Sequence, residues 1–218
     1  MNVAAISGSA RRDGNTAILV NTVFRELKKA RIETGLVQLA GKKIPGCITC
    51  MKCYEQKDQR CAIRGDIVNE CIEKMLKAGG IIPAPPTYFA DIPATMKALI
   101  GRAGFVARAN DNMFRRKVGA SVVAVRRIRA IHAFDSMNHF FIISQMVVPG
   151  SSSWNAGVGR APGDVKKDKE GLQTMKTLGR NMAWLLQKIN GRISFFQTSI
   201  VRSSVATTSP GEIFSNSS

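Results

Sequence analysis

The sequence predicts an α/β fold in which helices cover both faces of a five-stranded parallel sheet, a doubly wound arrangement. Short apolar runs alternate with longer stretches of helical spacing, and this alternation extends from residue 2 to residue 189. The length of 218 residues is enough for one α/β core and requires no second one. Parallel strands need crossover helices, so both faces of the sheet become buried.

Five apolar runs predict the strands, which lie within 2–7, 35–40, 79–86, 118–125 and 145–150. Apolar residues at three- and four-residue spacing predict helices over 15–30, 66–78, 93–108, 130–144 and 170–189. Five strands in this order are typical of a flavodoxin-like sheet, whose ligands bind beyond the carboxyl ends of the strands. We therefore expect the functional residues in the loops after the first, third and fourth strands.

The chain is predicted to form one domain over residues 1–190, with a cysteine-rich insert at 47–61. Residues 191–218 are rich in Ser and Thr and lack helical period, which predicts a flexible tail or an arm that packs on a neighbour. No apolar run reaches the roughly 18 residues of a membrane span. The first 16 residues are too glycine-rich for a signal peptide, so we expect a cytoplasmic protein and no membrane partner.

The charge is strongly positive, with 32 Lys and Arg against 15 Asp and Glu, a net +17. A bias of this size predicts an anionic partner, although total charge does not identify its class. The cations are densest in the middle of the chain, at Arg102, Arg108, Arg115, Arg116, Lys117, Arg126, Arg127 and Arg129. This stretch lacks the regular aromatic interleaving of a single-strand stacking groove. We expect a solvated basic face rather than a nucleic-acid site.

The loop after the first strand has the composition of a phosphate site. Its side-chain donors are Ser7, Ser9, Asn15 and Thr16, and Arg11 adds a positive charge. The loop leads into a helix, whose first N–H groups favour an anion. It matches neither the Walker pattern nor the Rossmann glycine pattern, which disfavours nucleoside triphosphatases and dinucleotide folds. The alternative is an ordinary Gly/Ser turn with Asn15 or Thr16 as the helix N-cap.

Four of the five cysteines lie within fifteen residues, at Cys47, Cys50, Cys53 and Cys61. This clustering favours a metal or redox site over a disulfide framework. A compact C-x2-C-x2-C run is typical of an iron–sulfur cluster, here predicted as [4Fe–4S]. A tetrahedral zinc site and free redox thiols are the alternatives. Cys71 lies on the apolar stripe of the next helix and is predicted to be a buried core thiol.

The loops after the third and fourth strands predict the remaining ligand contacts. Pro86, Thr87, Tyr88 and Phe89 follow the third strand, where a stiff loop with aromatic side chains suits a flat flavin ring. Arg126 and Arg127 follow the fourth strand, where a cation would stabilise a reduced, anionic flavin.

Taken together, these motifs resemble the iron–sulfur flavoprotein family, a branch of the NADPH-dependent FMN reductase-like flavodoxin superfamily. The resemblance covers roughly residues 1–190 and depends on the joint order of GSARRDGNT, the cysteine run ending in CAIRGDI, PPTYFADIPATMKALIGRAG and KVGASVVAV. It implies FMN held by the first loop and the PTYF loop, a [4Fe–4S] cluster on the cysteine run, and a homo-oligomer, a dimer or a tetramer. In such oligomers the cluster of one subunit lies near the flavin of another.

The resulting interpretation is an electron-transfer oxidoreductase in which FMN and the cluster carry the chemistry. The basic surface would suit an acidic redox partner such as ferredoxin, and NAD(P)H is a candidate donor. One alternative is a cluster-free NAD(P)H-dependent FMN or quinone reductase. The alternative from another class is a basic nucleic-acid or protein-binding module without a redox role.

Overall fold

The computed structural model describes residues 1–127 and 130–191. Its strands are β1 (Asn2–Ser7), β2 (Glu33–Gln38), β3 (Gly80–Ala84), β4 (Val118–Gly119), β5 (Val123–Val125) and β6 (Ala156–Val158). Its α-helices are α1 (Asn15–Lys29), α2 (Lys52–Gln56), α3 (Val68–Lys77), α4 (Ala94–Ala109), α5 (Ile131–Ile143) and α6 (Lys169–Gly191), and a 3-10 helix spans Asp164–Lys167. The five predicted helices are all present, and α2 is an additional short helix inside the cysteine run.

The strands form a four-stranded parallel sheet in the order β2-β1-β3-β4 and a parallel pair, β5-β6. The predicted strand over 118–125 is therefore divided into β4 and β5. Its middle still follows β3, because the N–H groups of Ala120 and Val122 donate to the carbonyls of Ile81 and Pro83. The flavodoxin-like α/β architecture is confirmed, but the five predicted strands are realised as four strands and a short pair.

The predicted last strand over 145–150 is wrong. Val147 forms a single parallel bridge with Val118, and the chain then leaves the sheet at Pro149 and Gly150. A proline has no N–H to continue a ladder, which limits the pairing here. The last strand of the chain is instead β6, which pairs with β5.

Two apolar cores lie on opposite faces of the sheet. On one face α1 and α6 pack together, with Leu19 and Leu27 meeting Leu178 and Met182. On the other face lie α3, α4 and α5. Successive residues of a strand face opposite sides, so Ile81 packs in the second core and Ile82 in the first. This is the burial on both faces that a parallel sheet requires.

Cys71 is fully buried in the core between α3 and the sheet, as predicted. Burial raises the pKa of its thiol to about 12, because an apolar surrounding disfavours the thiolate. This cysteine is thus a neutral core side chain. No helix within the described ranges combines the length and the apolar character that crossing a bilayer would demand. The predicted tail beyond Gly191 lies outside the described residues.

Glu26 joins the two helices that cover the first face of the sheet. Its buried carboxylate accepts hydrogen bonds from Lys29 at 2.7 Å and from Arg180 of α6 at 3.1 Å. The bond from Lys29 is the main cause that lowers the pKa of Glu26 below its ordinary value of 4.5, in opposition to burial. Charge pairing therefore supplements apolar packing between α1 and α6.

Replacing Glu26 by Gln should lower the free energy of unfolding by about 1 kcal/mol at neutral pH, since the amide carries no charge for its two cationic partners. A carboxylate with a lowered folded-state pKa stabilises the fold fully above its unfolded value, here 4.5, and loses that contribution as pH falls through the folded pKa. The stability difference should therefore vanish in acid. Urea unfolding at a series of pH values measures it.

The control is Glu33→Gln, which removes an exposed carboxylate from β2. Equal stability of Glu26→Gln and the unchanged chain at pH 7, or a difference that persists at low pH, would contradict the assignment.

Candidate functional site

The loops that follow β1 and β3 meet at the carboxyl edge of the sheet. The N–H of Gly8 donates to the carbonyl of Ala84 at 3.0 Å, and the N–H of Ala10 donates to the Tyr88 hydroxyl at 3.2 Å. A side chain on Gly8 would press on Met96, because a Cβ there would lie 3.1 Å from its terminal carbon. The structure thus brings the predicted phosphate loop and the predicted ring loop side by side.

Helix α1 begins without a side-chain cap. Its N-cap is Gly14, which has no side chain to offer, and the first turn contains no acidic residue. The predicted alternative, with Asn15 or Thr16 as N-cap, is therefore not what the structure has. The first N–H groups of a helix have no partner inside the helix. Uncapped, they present donors and the positive end of the helix dipole to an anion.

The loop hydroxyls lie next to this helix start. Ser7, Ser9 and Thr16 are buried, whereas Arg11 is exposed. The Ser9 hydroxyl accepts from the Arg11 N–H at 3.1 Å, and the Ser7 hydroxyl accepts from the Ser9 N–H at 3.4 Å. Because each of these oxygens acts as an acceptor, each hydroxyl proton is left to donate to a ligand.

The Asn15 side chain has a different role from the one predicted. Its amide group donates to the carbonyls of Gly159 and Ala161, each at 3.0 Å. Its carbonyl oxygen accepts from the N–H groups of Gly163 and Val165. All of its hydrogen-bonding capacity thus holds the loop after β6 against α1. A Cβ on Gly159 would lie 2.7 Å from this amide nitrogen, so the contact requires glycine. Only the backbone N–H of Asn15 remains for a phosphate.

The loop after β3 contains an unpaired buried hydroxyl. Thr87 donates its N–H to the carbonyl of Ala124 at 2.8 Å, but its side-chain oxygen is buried without a hydrogen-bond partner in the described structure. Burying an unpaired hydroxyl costs about 1–3 kcal/mol. Such an orphan at the carboxyl edge of a parallel sheet is what a missing ligand contact would leave.

The other residues of this loop surround Thr87. Pro86 is buried and forms a parallel bridge with Ala124, Tyr88 is partly exposed, and the Phe89 ring is fully exposed. Phe89 has a φ of 45°, in the left-handed region that a bulky residue rarely adopts. Arg126 and Arg127 follow β5 directly and are both exposed. Arg129 lies outside the described residues.

Cys47, Cys50, Cys53 and Cys61 line one narrow cavity between the segment after β2 and helix α4. Cys47 and Cys50 are exposed, Cys53 is partly buried and Cys61 is buried. Apart from the cysteines, the walls are mainly apolar, with Ile48, Ile63, Phe105 and Val106. The pKa of Cys53 is raised, first by burial and then by the nearby Cys47 and Cys50 thiolates. The cavity therefore offers four sulfur donors to a single ligand.

The backbone of the cysteine run is strained. Thr49, Met51, Lys57 and Gln59 all have φ between 47° and 62°, in the left-handed region. Each such residue costs about 1–3 kcal/mol and persists where its surroundings fix it, which is typical of ligand sites. No three His, Cys, Asp or Glu side chains in residues 1–127 and 130–191 stand close enough to hold a single metal ion. A four-iron cluster is larger than one ion and separates its thiolates further.

Arg102 is a residue that the sequence interpretation placed wrongly. The sequence predicts it on the solvated basic face, but its side chain is fully buried beside the cysteine cavity. Its Nε donates to the Cys61 sulfur at 3.2 Å, and its Nη1 donates to Asp66 at 2.5 Å. Burial works to lower the pKa of this guanidinium, but the bonds to Asp66 and Cys61 raise it above the ordinary value. Arg102 therefore stays charged next to a sulfur ligand.

The rest of the basic stretch largely agrees with the prediction. Arg108, Arg115 and Arg116 are exposed, as a solvated face requires. Lys117 is partly buried and donates to the carbonyls of Leu76 and Ala78 at the end of α3. Burial lowers the pKa of its ammonium group.

Asn69 of α3 is a further residue that sequence analysis missed. Its side chain accepts from the Cys61 N–H at 2.8 Å and donates to the Cys61 carbonyl at 3.0 Å. It therefore fixes the backbone of the buried cysteine, while Arg102 contacts the sulfur. For Arg102 a signal was present, because it occurs at helical spacing between Leu99 and Val106, which both face the core.

Comparison with known proteins identifies the family of this chain. The family model described as NADPH-dependent FMN reductase matches residues 1–160. An iron–sulfur flavoprotein of Methanocaldococcus jannaschii is 36% identical over 201 residues, covering 87% of this chain and 99% of the relative. An iron–sulfur flavoprotein of Methanosarcina thermophila is 30% identical over 191 residues, covering 87% of this chain and 97% of the relative.

Solved structures share the fold at low sequence identity. RosB, solved with bound 8-demethyl-8-formylriboflavin-5'-phosphate, has a TM-score of 0.67 at 15% identity, covering 88% of this chain and 81% of that one. A flavodoxin from the domain Archaea has a TM-score of 0.55 at 11% identity, covering 86% of this chain and 99% of that one. These similarities establish the flavodoxin-like fold. With the sequence matches over most of its length, the chain belongs to the iron–sulfur flavoprotein family within the NADPH-dependent FMN reductases.

Proposed function

We propose that this chain is an electron-transfer flavoprotein that holds FMN at the carboxyl edge of the sheet and a [4Fe–4S] cluster on its cysteine run. The observation that carries the proposal is that the four clustered cysteines line one cavity, while the fifth, Cys71, is buried elsewhere in the core. Family membership supports it, because the matched family is one of FMN reductases and the two archaeal relatives are named iron–sulfur flavoproteins.

The residues at the start of α1 fit a phosphate group. The uncapped N–H groups of Asn15, Thr16 and Ala17 supply backbone donors, and the Ser9 and Thr16 hydroxyls stand beside them. Arg11 adds an exposed positive charge, and the Ser7 hydroxyl holds Ser9 by accepting its backbone N–H. A phosphate that carries two charges gains from both the dipole and these donors.

The loop after β3 fits the flat ring of the same ligand. Pro86, Thr87, Tyr88 and Phe89 would line the ring, and the unpaired Thr87 hydroxyl would gain a partner there. Arg126 and Arg127 lie next to this loop, because β5 is bonded to it through Thr87 and Ala124. When bound, FMN supplies reversible uptake of electrons, and these cations would favour its reduced anion.

The cysteine cavity fits an iron–sulfur cluster by its donor chemistry. Cys47, Cys50, Cys53 and Cys61 provide four sulfurs, which is the ligand set of a [4Fe–4S] centre. The apolar walls limit the access of water on the side of α4. When bound, such a cluster supplies exchange of single electrons with an outside donor.

An acidic electron carrier of the ferredoxin type suits the surface around the cysteine run. Six exposed cations lie within it or near it in sequence, against the two exposed carboxylates of Glu55 and Asp58; the cations are Lys42, Lys43, Lys52, Lys57, Arg60 and Arg64. Opposite charges accelerate encounter and orient the partners. NAD(P)H is the other candidate donor, as the name of the matched family implies.

A second surface, formed by α5 and the segment after it, has the apolar character of a contact between copies of this chain. Large apolar side chains are exposed on α5 and the segment after it, at Ile131, Ile142, Ile143, Val147, Val148 and Trp154. Several large apolar side chains exposed to solvent in one part of the surface are typical of a protein interface. We therefore propose a homo-oligomer, a dimer or a tetramer, in which this surface is covered.

Replacing Cys61 by Ser should remove most of the iron from protein purified without oxygen, because the buried ligand of the cluster is lost. Cys71→Ala is the matched control, since it removes the one cysteine that lies outside the cavity, and it should retain the iron. Iron analysis together with the visible absorbance spectrum measures both variants.

Full iron in Cys61→Ser would contradict the cluster assignment, as would equal loss in Cys71→Ala. Unchanged protein that contains FMN but no iron, and that NADPH reduces rapidly, would select the cluster-free reductase instead.

Replacing Thr87 by Val should weaken FMN binding about 5- to 10-fold, because a single neutral hydrogen bond contributes about 1 kcal/mol. The stability of the flavin-free protein should not fall, since the hydroxyl has no partner there. Thr34→Val is the control, because the Thr34 hydroxyl is also buried without a partner among residues 1–127 and 130–191 but lies near the amino end of β2. Quenching of FMN fluorescence gives both affinities.

Unchanged FMN affinity in Thr87→Val would remove this residue from the site. An equal loss in Thr34→Val would show that the effect is not local.

A further inference from the structure

We infer that Arg102 is a positioning residue for the cluster, which fixes the Cys61 sulfur and raises the reduction potential of the bound centre. The inference rests on the proposed function, since it concerns how this chain tunes a cluster that its cysteines hold. It assigns a task to a residue that lies outside the cysteine run in sequence, 41 residues beyond Cys61.

The guanidinium group of Arg102 is saturated by its surroundings. Nε donates to the Cys61 sulfur at 3.2 Å, Nη1 to Asp66 and to the carbonyl of Pro45, and Nη2 to Asp66 and to the carbonyl of Ile63. Pro45 precedes the cysteine run and Ile63 follows it. One side chain on the rigid helix α4 thus contacts both ends of the segment that carries the sulfurs.

The ion pair with Asp66 keeps this charge in the protein interior. The Arg102 side chain is 0% exposed and the Asp66 side chain 6%. A buried unpaired charge is strongly unfavourable, so each group depends on the other. The planar fork of arginine can meet a carboxylate with one edge while its Nε serves another acceptor, which a lysine ammonium does not reproduce.

The bond from Nε to sulfur goes beyond what packing requires. Asp66 and two carbonyls already balance the Nη groups. The remaining donor, Nε, bonds to the Cys61 sulfur. In the protein with its cluster bound, this sulfur would be a thiolate that ligates iron. Hydrogen bonds and positive charge at ligand sulfurs stabilise the more negative, reduced form of a cluster and so raise its potential.

The four ligands are therefore unequal. Cys61 has its backbone bonded to Asn69 and its sulfur bonded to a buried cation. Cys47 is exposed, and within the described residues its sulfur accepts one hydrogen bond, from the Thr49 backbone N–H at 3.4 Å. We expect the exposed side of the centre to meet the outside donor, while the Cys61 side is held rigidly by α3 and α4.

The test compares Arg102→Lys and Arg102→Gln with Arg108→Gln. Arg108 is on the same helix but exposed, so its loss controls for removal of one positive charge. Iron per chain is measured after anaerobic purification, and the cluster potential is measured by redox titration followed by electron paramagnetic resonance, which separates it from the flavin. Thermal unfolding of the iron-free proteins reports stability independently.

Arg102→Lys should bind iron with a cluster potential below that of the unchanged chain, and Arg102→Gln should bind the cluster about 10- to 100-fold more weakly. Arg108→Gln should match the unchanged chain in both properties. If Arg102→Gln does not fold, the potential of Arg102→Lys decides alone.

An unchanged potential in Arg102→Lys would overturn the inference, as would an equal shift in Arg108→Gln. Iron-free unchanged protein would contradict the proposed function as well. If the unchanged chain contains the cluster and the Arg102 variants have the same cluster potential, only the role of Arg102 is contradicted.

Discussion

Parallel pairing on both sides of β1 brings the candidate ligand loops together. Ser7, the last residue of β1, is in register with Gln38 of β2 on one side and Ala84 of β3 on the other. All three strands therefore end at the same level, and their following segments leave from one edge. Those segments contain the phosphate loop, the cysteine run and the ring loop. A slip of one residue would exchange the two faces of a strand and displace its loop.

The second constraint is the cost of polar groups in the interior. Asn15, Arg102 and Glu26 are each held by several hydrogen bonds, and each connects segments that are distant in sequence. Thr87, by contrast, has a buried hydroxyl with no hydrogen-bond partner in the part of the chain that the structure describes. Polar groups whose hydrogen bonds are made within the protein fix its geometry. A buried hydroxyl without a partner at the sheet edge points instead to a ligand.

Much of the fold could be predicted because local patterns determine it. Helical spacing gave α1 and α6 almost to the residue, and the apolar stripe around Cys71 correctly placed that thiol in the core. The apolar run at 146–148 predicts a strand that the structure does not have, because hydropathy alone does not show that the chain leaves the sheet after one bridge. The clustering of the four cysteines on one cavity followed from their spacing.

The roles of Asn15 and Arg102 could not be predicted in the same way. Asn15 meets its partners 144 to 150 residues further along the chain, and Arg102 meets Asp66 across 36 residues. Such contacts depend on the packing of whole elements, which composition and spacing do not encode. A lone arginine on an apolar helical stripe was the one local sign, and the high overall charge concealed it.

We propose that one chain holds two redox groups, a flavin at the sheet edge and a cluster on the thiols. Anaerobic titration of the intact protein with dithionite tests it most directly, followed by absorbance and electron paramagnetic resonance. We expect uptake of about three electrons per chain, two by the flavin and one by the cluster. Uptake of about two electrons, with flavin bleaching alone and no paramagnetic cluster signal, would contradict the account.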